Sequence, residues 1–404
     1  MYYARHLEGA LTDRRSRNKV KLLLGPRQSG KSTLLRHCLA GRTPTVRNLQ
    51  DRRLRMKYER DTATFLQELD MVERGSTVVV DEIQKVPAIL DDVQYLFDED
   101  QDRFDFFLTG SSARKLRKDS ANLLPGRVHL FHMTPVLQAE QRDAEVLPLP
   151  MSPMSSAPRF PRRSLEEYLV WGNLPGLYHE DPDSWGATLE AYSELYIEHE
   201  IRREALVQDI GAFMRFLSLA AAESGRLVNY SKLASAVGIS VNTVRNYYQV
   251  LEDTHVGFRV PAYGRSRKKI LAAPRFVMFD LGVRNCLARL PLNPSVLRLD
   301  AGSLFEQFVL VELFYRCLSL GREFRLSTWR THTGAEVDAV VETPEEVLPV
   351  EVKWTDAPQK GDIRHLETFL DLHADEARRG LLVCRCDVPR KLSPRVVALP
   401  WDRF

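Results

Sequence analysis

The pattern of apolar and polar positions changes character three times along the chain. From about Val20 to Met133, short apolar runs alternate with stretches of helical periodicity: "VKLLLG", "PTVRNL", "TVVVDE", "FDFFLTGS" and "GRVHLFHM". Continuous apolar runs suit strands buried on both faces, and their alternation with helices predicts a parallel sheet with helices on its faces. Residues 147–164, "LPLPMSPMSSAPRFPRRS", hold five prolines and several serines and read as a linker. A helical zone runs from about Ser164 to Asp253 and ends in a basic run and "RFVMFDLGV". From about Asp300 an apolar helix, "GSLFEQFVLVELFYRCLSLG", precedes the runs "FRLSTWR", "AEVDAVVE", "VLPVEVKW" and "GLLVCRC", which predict a separate α/β domain. The fold class is therefore α/β, divided as 1–146, a linker at 147–164, a helical domain at 165–290 and a last domain at 291–404.

Chemistry enters first at "GPRQSGKS", Gly25 to Ser32, which fits G-x-x-x-x-G-K-[ST] between a predicted strand and a predicted helix. Glycines let the backbone wrap so that successive N–H groups point at one anion, and the helix adds its positive end. Lys31 is expected on the β- and γ-phosphates of ATP and Ser32 on Mg²⁺. Gly25, Arg27, Gln28, Ser29, Gly30 and Thr33 complete the expected nucleotide loop. The run "TVVVDE" places Asp81 and Glu82 at the end of a buried strand, where open α/β sheets bind ligands. Asp81 suits the Mg²⁺ shell, and Glu82 suits a base that orients the attacking water. Thr109, Ser111 and Ser112 close another apolar strand, and a hydroxyl there can meet the γ-phosphate or the water. Arg127, and equally Arg114, is a candidate for an arginine supplied to a neighbouring subunit's site; each also reads as a plain surface arginine.

In the helical zone, "NYSKLASAVGISVNTVRNYYQVLED" has the form of a helix-turn-helix. Leu233, Ala234 and Val237 share one face, Gly238 to Ser240 makes the turn, and Ser240 caps a second helix reaching about Leu251. Asn242, Thr243, Arg245, Asn246 and Gln249 are expected to face outward, with side chains of the types that reach bases and phosphates. Arg265, Arg267, Lys268 and Lys269 follow within five residues, where a winged helix has its wing. Such modules also bind proteins, so DNA contact and protein contact both stay open. In the last zone, alternation puts Val337, Ala339 and Val341 on one face and Glu336 and Asp338 on the other. Val350, Val352 and Trp354 likewise oppose Glu351 and Lys353. If the two strands are neighbours, Asp338, Glu351 and Lys353 converge as D…E-x-K, two carboxylates for a metal and a lysine for the phosphate.

"GPRQSGKSTLL", "VVVDEIQKVP", "LTGSSARKL", "LPGRV" and "WGNLP", in this order, resemble the AAA-type P-loop ATPases of bacteria and archaea whose C-terminal half was long called a domain of unknown function. "GSLFEQFVLVEL", "GAEVDAVVE" and "LPVEVKW" extend the resemblance over nearly the whole chain. The resemblance implies an AAA-like core, a winged-helix segment and a restriction-endonuclease-like domain of the PD-(D/E)XK fold. In that fold Glu306, on the apolar helix, is a further acidic residue of the metal site. "WGNLP" reads as a packing motif.

Composition narrows the partners. The 404 residues are 44% hydrophobic and 27% charged, with a net charge of only +3. A sizeable core follows, and any nucleic-acid contact must be a local patch. The five cysteines have no metal-like spacing and read as reduced thiols. No signal core or bilayer-length apolar window occurs, so a cytoplasmic protein without membrane contact is expected. The whole reads as an oligomeric ATPase, a hexameric ring among the options, acting on DNA such as a junction or fork. The alternatives are a nucleotide switch binding a protein partner and an ATP-regulated nuclease of a defence or mobile-element system.

Overall fold

Five strands, β1 (Val20–Leu24), β2 (Thr45–Asn48), β3 (Ser76–Asp81), β4 (Phe104–Gly110) and β5 (Val128–His132), form one sheet in the order β2-β3-β4-β1-β5. Every neighbouring pair is parallel. The unbroken apolar runs are explained by burial on both faces. Leu22, Leu24, Val78, Val80 and Phe106 pack with Tyr58, Phe65 and Ile89, whereas Leu23, Val79 and Phe107 pack with Leu7, Leu11, Leu34 and Leu35. This computed structural model describes residues 1–404 apart from 14–17, 62, 113–125, 144–148, 150–156, 194–208, 265–271 and 322. The chain divides into two compact units. The first comprises Met1–Thr134, Ser152–Arg159 and Asp253–His255; the second comprises Pro135–Met151, Phe160–Glu252 and Val256–Phe404.

In the second unit one hydrophobic core runs from the helical zone into the C-terminal sheet. "WGNLP" is a packing node within it. Asp280 caps the helix Leu281–Leu287 by accepting from the Val283 N–H, and it also accepts from the Asn173 N–H at 2.6 Å. A Cβ at Gly172 would lie 2.2 Å from Asp280 Oδ1, so only glycine admits this approach. Of residues 147–164, Leu149 and Phe160 are buried, and Phe160 bridges to Gln141, so the described part is more than a bare spacer.

β6 (Gly257–Val260) and β7 (Arg275–Met278) pair antiparallel. The C-terminal sheet comprises β8 (Arg325–Arg330), β9 (Glu336–Glu342), β10 (Val347–Val352), β11 (Gly380–Cys384), β12 (Arg390–Lys391) and β13 (Val396–Pro400), in the order β12-β13-β11-β10-β9-β8. The helix Leu297–Leu320 covers one face and the helix Arg364–Leu372 the other. Strict alternation along β9 fails here. Val337 and Val340 share one cluster, with Phe369, while Ala339 and Val341 belong to the other. The cause is a register shift between Ser327 and Trp329 on β8, which inserts an extra residue into β9 and reverses its parity. Val337 therefore does not share a face with Ala339 and Val341.

The five cysteines, at positions 38, 286, 317, 384 and 386, form no disulfide with one another. Among the described residues no helix is long and apolar enough to cross a membrane.

Candidate functional site

The loop after β1 is held in shape before any ligand arrives. A Cβ at Gly25 would lie 2.5 Å from the Met133 carbonyl oxygen, so the loop can leave the sheet only at glycine. Ser29 Oγ donates to the Pro26 carbonyl at 2.7 Å. The Lys31 ammonium is buried and donates to the Gly25 and Pro26 carbonyls, each at 2.8 Å. Arg5, from the N-terminal segment, is 3% exposed; its guanidinium donates to the Ser29 carbonyl at 2.9 Å and the Thr134 carbonyl at 2.7 Å. It ties the loop to the end of the sheet. Gly30 caps the helix Lys31–Cys38, whose N-terminus faces the loop. Arg27 is half-buried, Gln28 is exposed with a φ of 56°, and Thr33 is exposed, its hydroxyl accepting from Arg36.

The acids stand where the sequence put them, at the C-terminal end of β3. Asp81 accepts from the Thr109 hydroxyl and lies 3.4 Å from Ser32 Oγ. A hydroxyl and a carboxylate at this spacing fit the ligand set of a nucleotide-bound Mg²⁺, with Lys31 and the loop amides left for the phosphates. Glu82 takes a left-handed backbone, φ 61°, which costs a non-glycine residue energy and marks a constrained position. Its amide donates to Thr109 Oγ1 at 3.2 Å. Its Oε2 accepts from Gln84 Nε2 at 2.6 Å and from Ser111 Oγ at 3.2 Å, and Ser111 Oγ also accepts from Gln84 at 2.9 Å. Glu82, Gln84 and Ser111 are all buried. A carboxylate oriented this way beside Asp81 suits a general base.

Arg127 precedes β5 and pairs with Asp98 at 2.5 Å, whereas the loop follows β1. In a parallel sheet those are opposite edges, separated by a five-residue strand of about 16 Å. Arg127 therefore does not reach the Lys31 site of its own chain. Arg114 lies outside the described residues.

The helix-turn-helix is formed by Tyr230–Val237 and Val241–Asp253. Asn229 caps the first helix, Gly238 turns the chain with a φ of 80°, and Ser240 Oγ accepts from the Thr243 N–H at 3.1 Å. Val244, Tyr247, Tyr248, Val250 and Leu251 are buried, Tyr247 against Phe213 and Tyr248 against Phe216. Asn242, Arg245, Asn246 and Gln249 are exposed; Thr243 is half-buried. Arg245 lies over the Tyr230 ring, which orients it. Arg265, Arg267, Lys268 and Lys269 lie outside the described residues.

In the C-terminal sheet β9 and β10 are antiparallel neighbours with Val350 opposite Ala339, which brings Asp338 and Glu351 together as expected. Each acid of the expected set has a contact within the chain. Asp338 Oδ2 accepts from the Val352 N–H at 2.9 Å, Glu351 Oε1 takes Lys353 Nζ at 2.7 Å, and Glu306 pairs with Arg275. Among the described residues no group of three acid, histidine or cysteine side chains is placed to hold an ion, while Glu351 Oε2 is buried without a hydrogen-bond partner. Burial, with the Asp338 charge added, pushes the Glu306 carboxyl up to about 7 against the pull of Arg275. Burial likewise pushes Glu351 up to about 8.

Residues 17–141 match the AAA domain family. With the loop and the acid pair, that match decides the first unit. It holds an AAA-type P-loop ATPase domain. Residues 162–294 match a domain of unknown function, DUF8612, and residues 301–404 match another, DUF4143. An uncharacterized protein of Mycobacterium tuberculosis is 26% identical over 407 residues, 96% of this chain and 81% of that protein; one of Mycobacterium bovis matches equally. Among solved structures, a Walker-type ATPase of Pyrococcus abyssi overlaps at a TM-score of 0.45 and 16% identity, over 71% of this chain and 96% of that one.

Three residues escape sequence reading. Arg5 sits in a short N-terminal segment with no motif, Gln84 follows the acid pair without a pattern of its own, and Arg275 is one arginine in an apolar run. A sequence signal exists only for Gln84, whose place two residues after Glu82 puts it beside the base.

Proposed function

We propose that this protein hydrolyses ATP at the Lys31, Asp81 and Glu82 site and uses the turnover to act on DNA as an oligomer. The observation that carries the DNA reading is the capped second helix of the helix-turn-helix. It exposes Asn242, Arg245, Asn246 and Gln249 on one side while its other side is locked into the core. Those are base- and phosphate-reading types on a rigid element. In the mechanism, Lys31 and the loop amides would hold the β- and γ-phosphates, and Ser32 and Asp81 would hold Mg²⁺, which when bound would neutralise phosphate charge. Glu82, oriented by Gln84 and Ser111, takes the proton of the attacking water. Charge on the transferring phosphoryl group still calls for an arginine. Arg127 stands at the wrong edge to serve its own chain, which supports a neighbouring copy as its recipient.

Steady-state phosphate release, measured with single-stranded, duplex, forked and four-way-junction DNA, tests the reading. Stimulation by one DNA shape is expected, with strand products reporting remodelling. Turnover indifferent to every DNA would remove the DNA reading and leave the nucleotide switch with a protein partner.

A further inference from the structure

The carboxylates of the C-terminal sheet already hold a cation of the protein's own. Arg275 opens β7, and its side chain is only 12% exposed. Its guanidinium pairs with Glu306 on the long helix Leu297–Leu320 and is further attracted by Asp338 and Glu336. Its backbone is built in as well, pairing with Val260 across the β6–β7 ladder and bridging to Leu227. Of the other acids, Asp338 Oδ2 accepts from the Val352 N–H and Glu351 Oε1 from Lys353, while Glu351 Oε2 is buried without a partner. A divalent ion entering here would have to expel a guanidinium fixed by a strand, or sit beside it and be repelled.

We propose that Arg275 stands in the place of a divalent metal, so that Glu306 and Asp338 face its guanidinium and Glu351 faces Lys353, instead of the three forming a metal-dependent nuclease centre. A planar guanidinium satisfies carboxylates as a permanent partner, with none of the exchange that a catalytic metal needs. The inference is independent of the ATPase reading, because it concerns the nucleotide-free chain.

Mn²⁺ titrated into the full chain without nucleotide, with the free ion read by electron paramagnetic resonance, tests it. A Lys31→Ala, Asp81→Asn background removes the ion site of the phosphate loop. The chain with Arg275 intact is expected to show no saturable Mn²⁺ site that depends on Glu351. Arg275→Met is expected to gain one site, at least about tenfold tighter than any residual binding, as a freed carboxylate set should. Adding Glu351→Gln should abolish it. Arg275→Gln, which keeps amide donors but not the charge, carries the same expectation should Arg275→Met fail to fold. A saturable site present with Arg275 in place and lost on Glu351→Gln would overturn the proposal. So would a folded Arg275 variant that gains nothing. The intact chain decides the matter even if both variants are lost.

Discussion

Two acid clusters in this molecule look alike in sequence and differ in what surrounds them. Asp81 and Glu82 close β3; Asp338 and Glu351 sit opposite each other on β9 and β10. The first pair is served by neutral donors, namely the Thr109, Ser32 and Ser111 hydroxyls and the Gln84 amide. Neutral donors orient a carboxylate without cancelling its charge, which leaves it available to an ion and to a proton. In the second cluster two of the acids meet cations, Glu306 the Arg275 guanidinium and Glu351 the Lys353 ammonium. The difference teaches that a D…E-x-K pattern identifies positions, whereas the cations nearby decide whether those positions have chemistry to offer.

Lys31→Ala breaks the comparison most directly. ATP hydrolysis should fall to background, about 10³-fold or more, because the transition state loses its fixed positive charge. Phosphate release near the normal rate would end the assignment of this site. Glu82→Gln is next. It should lower kcat by about 10²-fold while KM stays within a factor of a few, since it removes proton transfer but not phosphate binding. A pure KM effect would take the base role away. Arg5→Ala should loosen the phosphate loop, raising KM for ATP roughly tenfold and costing about 2 kcal/mol of stability through two lost charge-assisted hydrogen bonds. Denaturant unfolding together with kinetics would show both, and an unchanged KM would reduce Arg5 to a structural anchor.

The smallest expected effect sharpens the other half of the comparison. The folded Glu351 carboxyl lies near 8, above the ordinary 4.5, because burial disfavours its charge. Its contribution to stability is therefore full below the unfolded value and lost as pH rises through the folded one. The melting temperature should slope down by on the order of 5 °C between about pH 5 and pH 8, and Glu351→Gln should flatten that slope. A profile that Glu351→Gln leaves unchanged would mean the acid is ionised throughout.

The phosphate loop and both acid pairs were legible because each is a local pattern on a strand end or a strand face. The five-strand parallel sheet was legible for the same reason: runs such as Val78 to Val80 are apolar on consecutive positions only when both faces are covered. What was not legible depends on partners distant in the chain. The parity of β9 is set by a shift on β8, so Val337 parted from Ala339 with nothing in "AEVDAVVE" to announce it. Arg5 finds the Ser29 carbonyl 24 residues away, and Arg275 finds Glu306 31 residues away. Single arginines in unremarkable contexts carry no signal of their destination.

The close approach of Gly172 to Asp280 has an evolutionary consequence. The two positions share one small volume, and the constraint on them is unequal. A side chain at 172 would meet the Asp280 carboxylate and would also have to hold a φ of 68°, so shortening residue 280, which itself gives up the helix cap and the Asn173 contact, does not free position 172. Position 172 therefore stays glycine whichever residue stands at 280, whereas 280 can change at the cost of its two contacts.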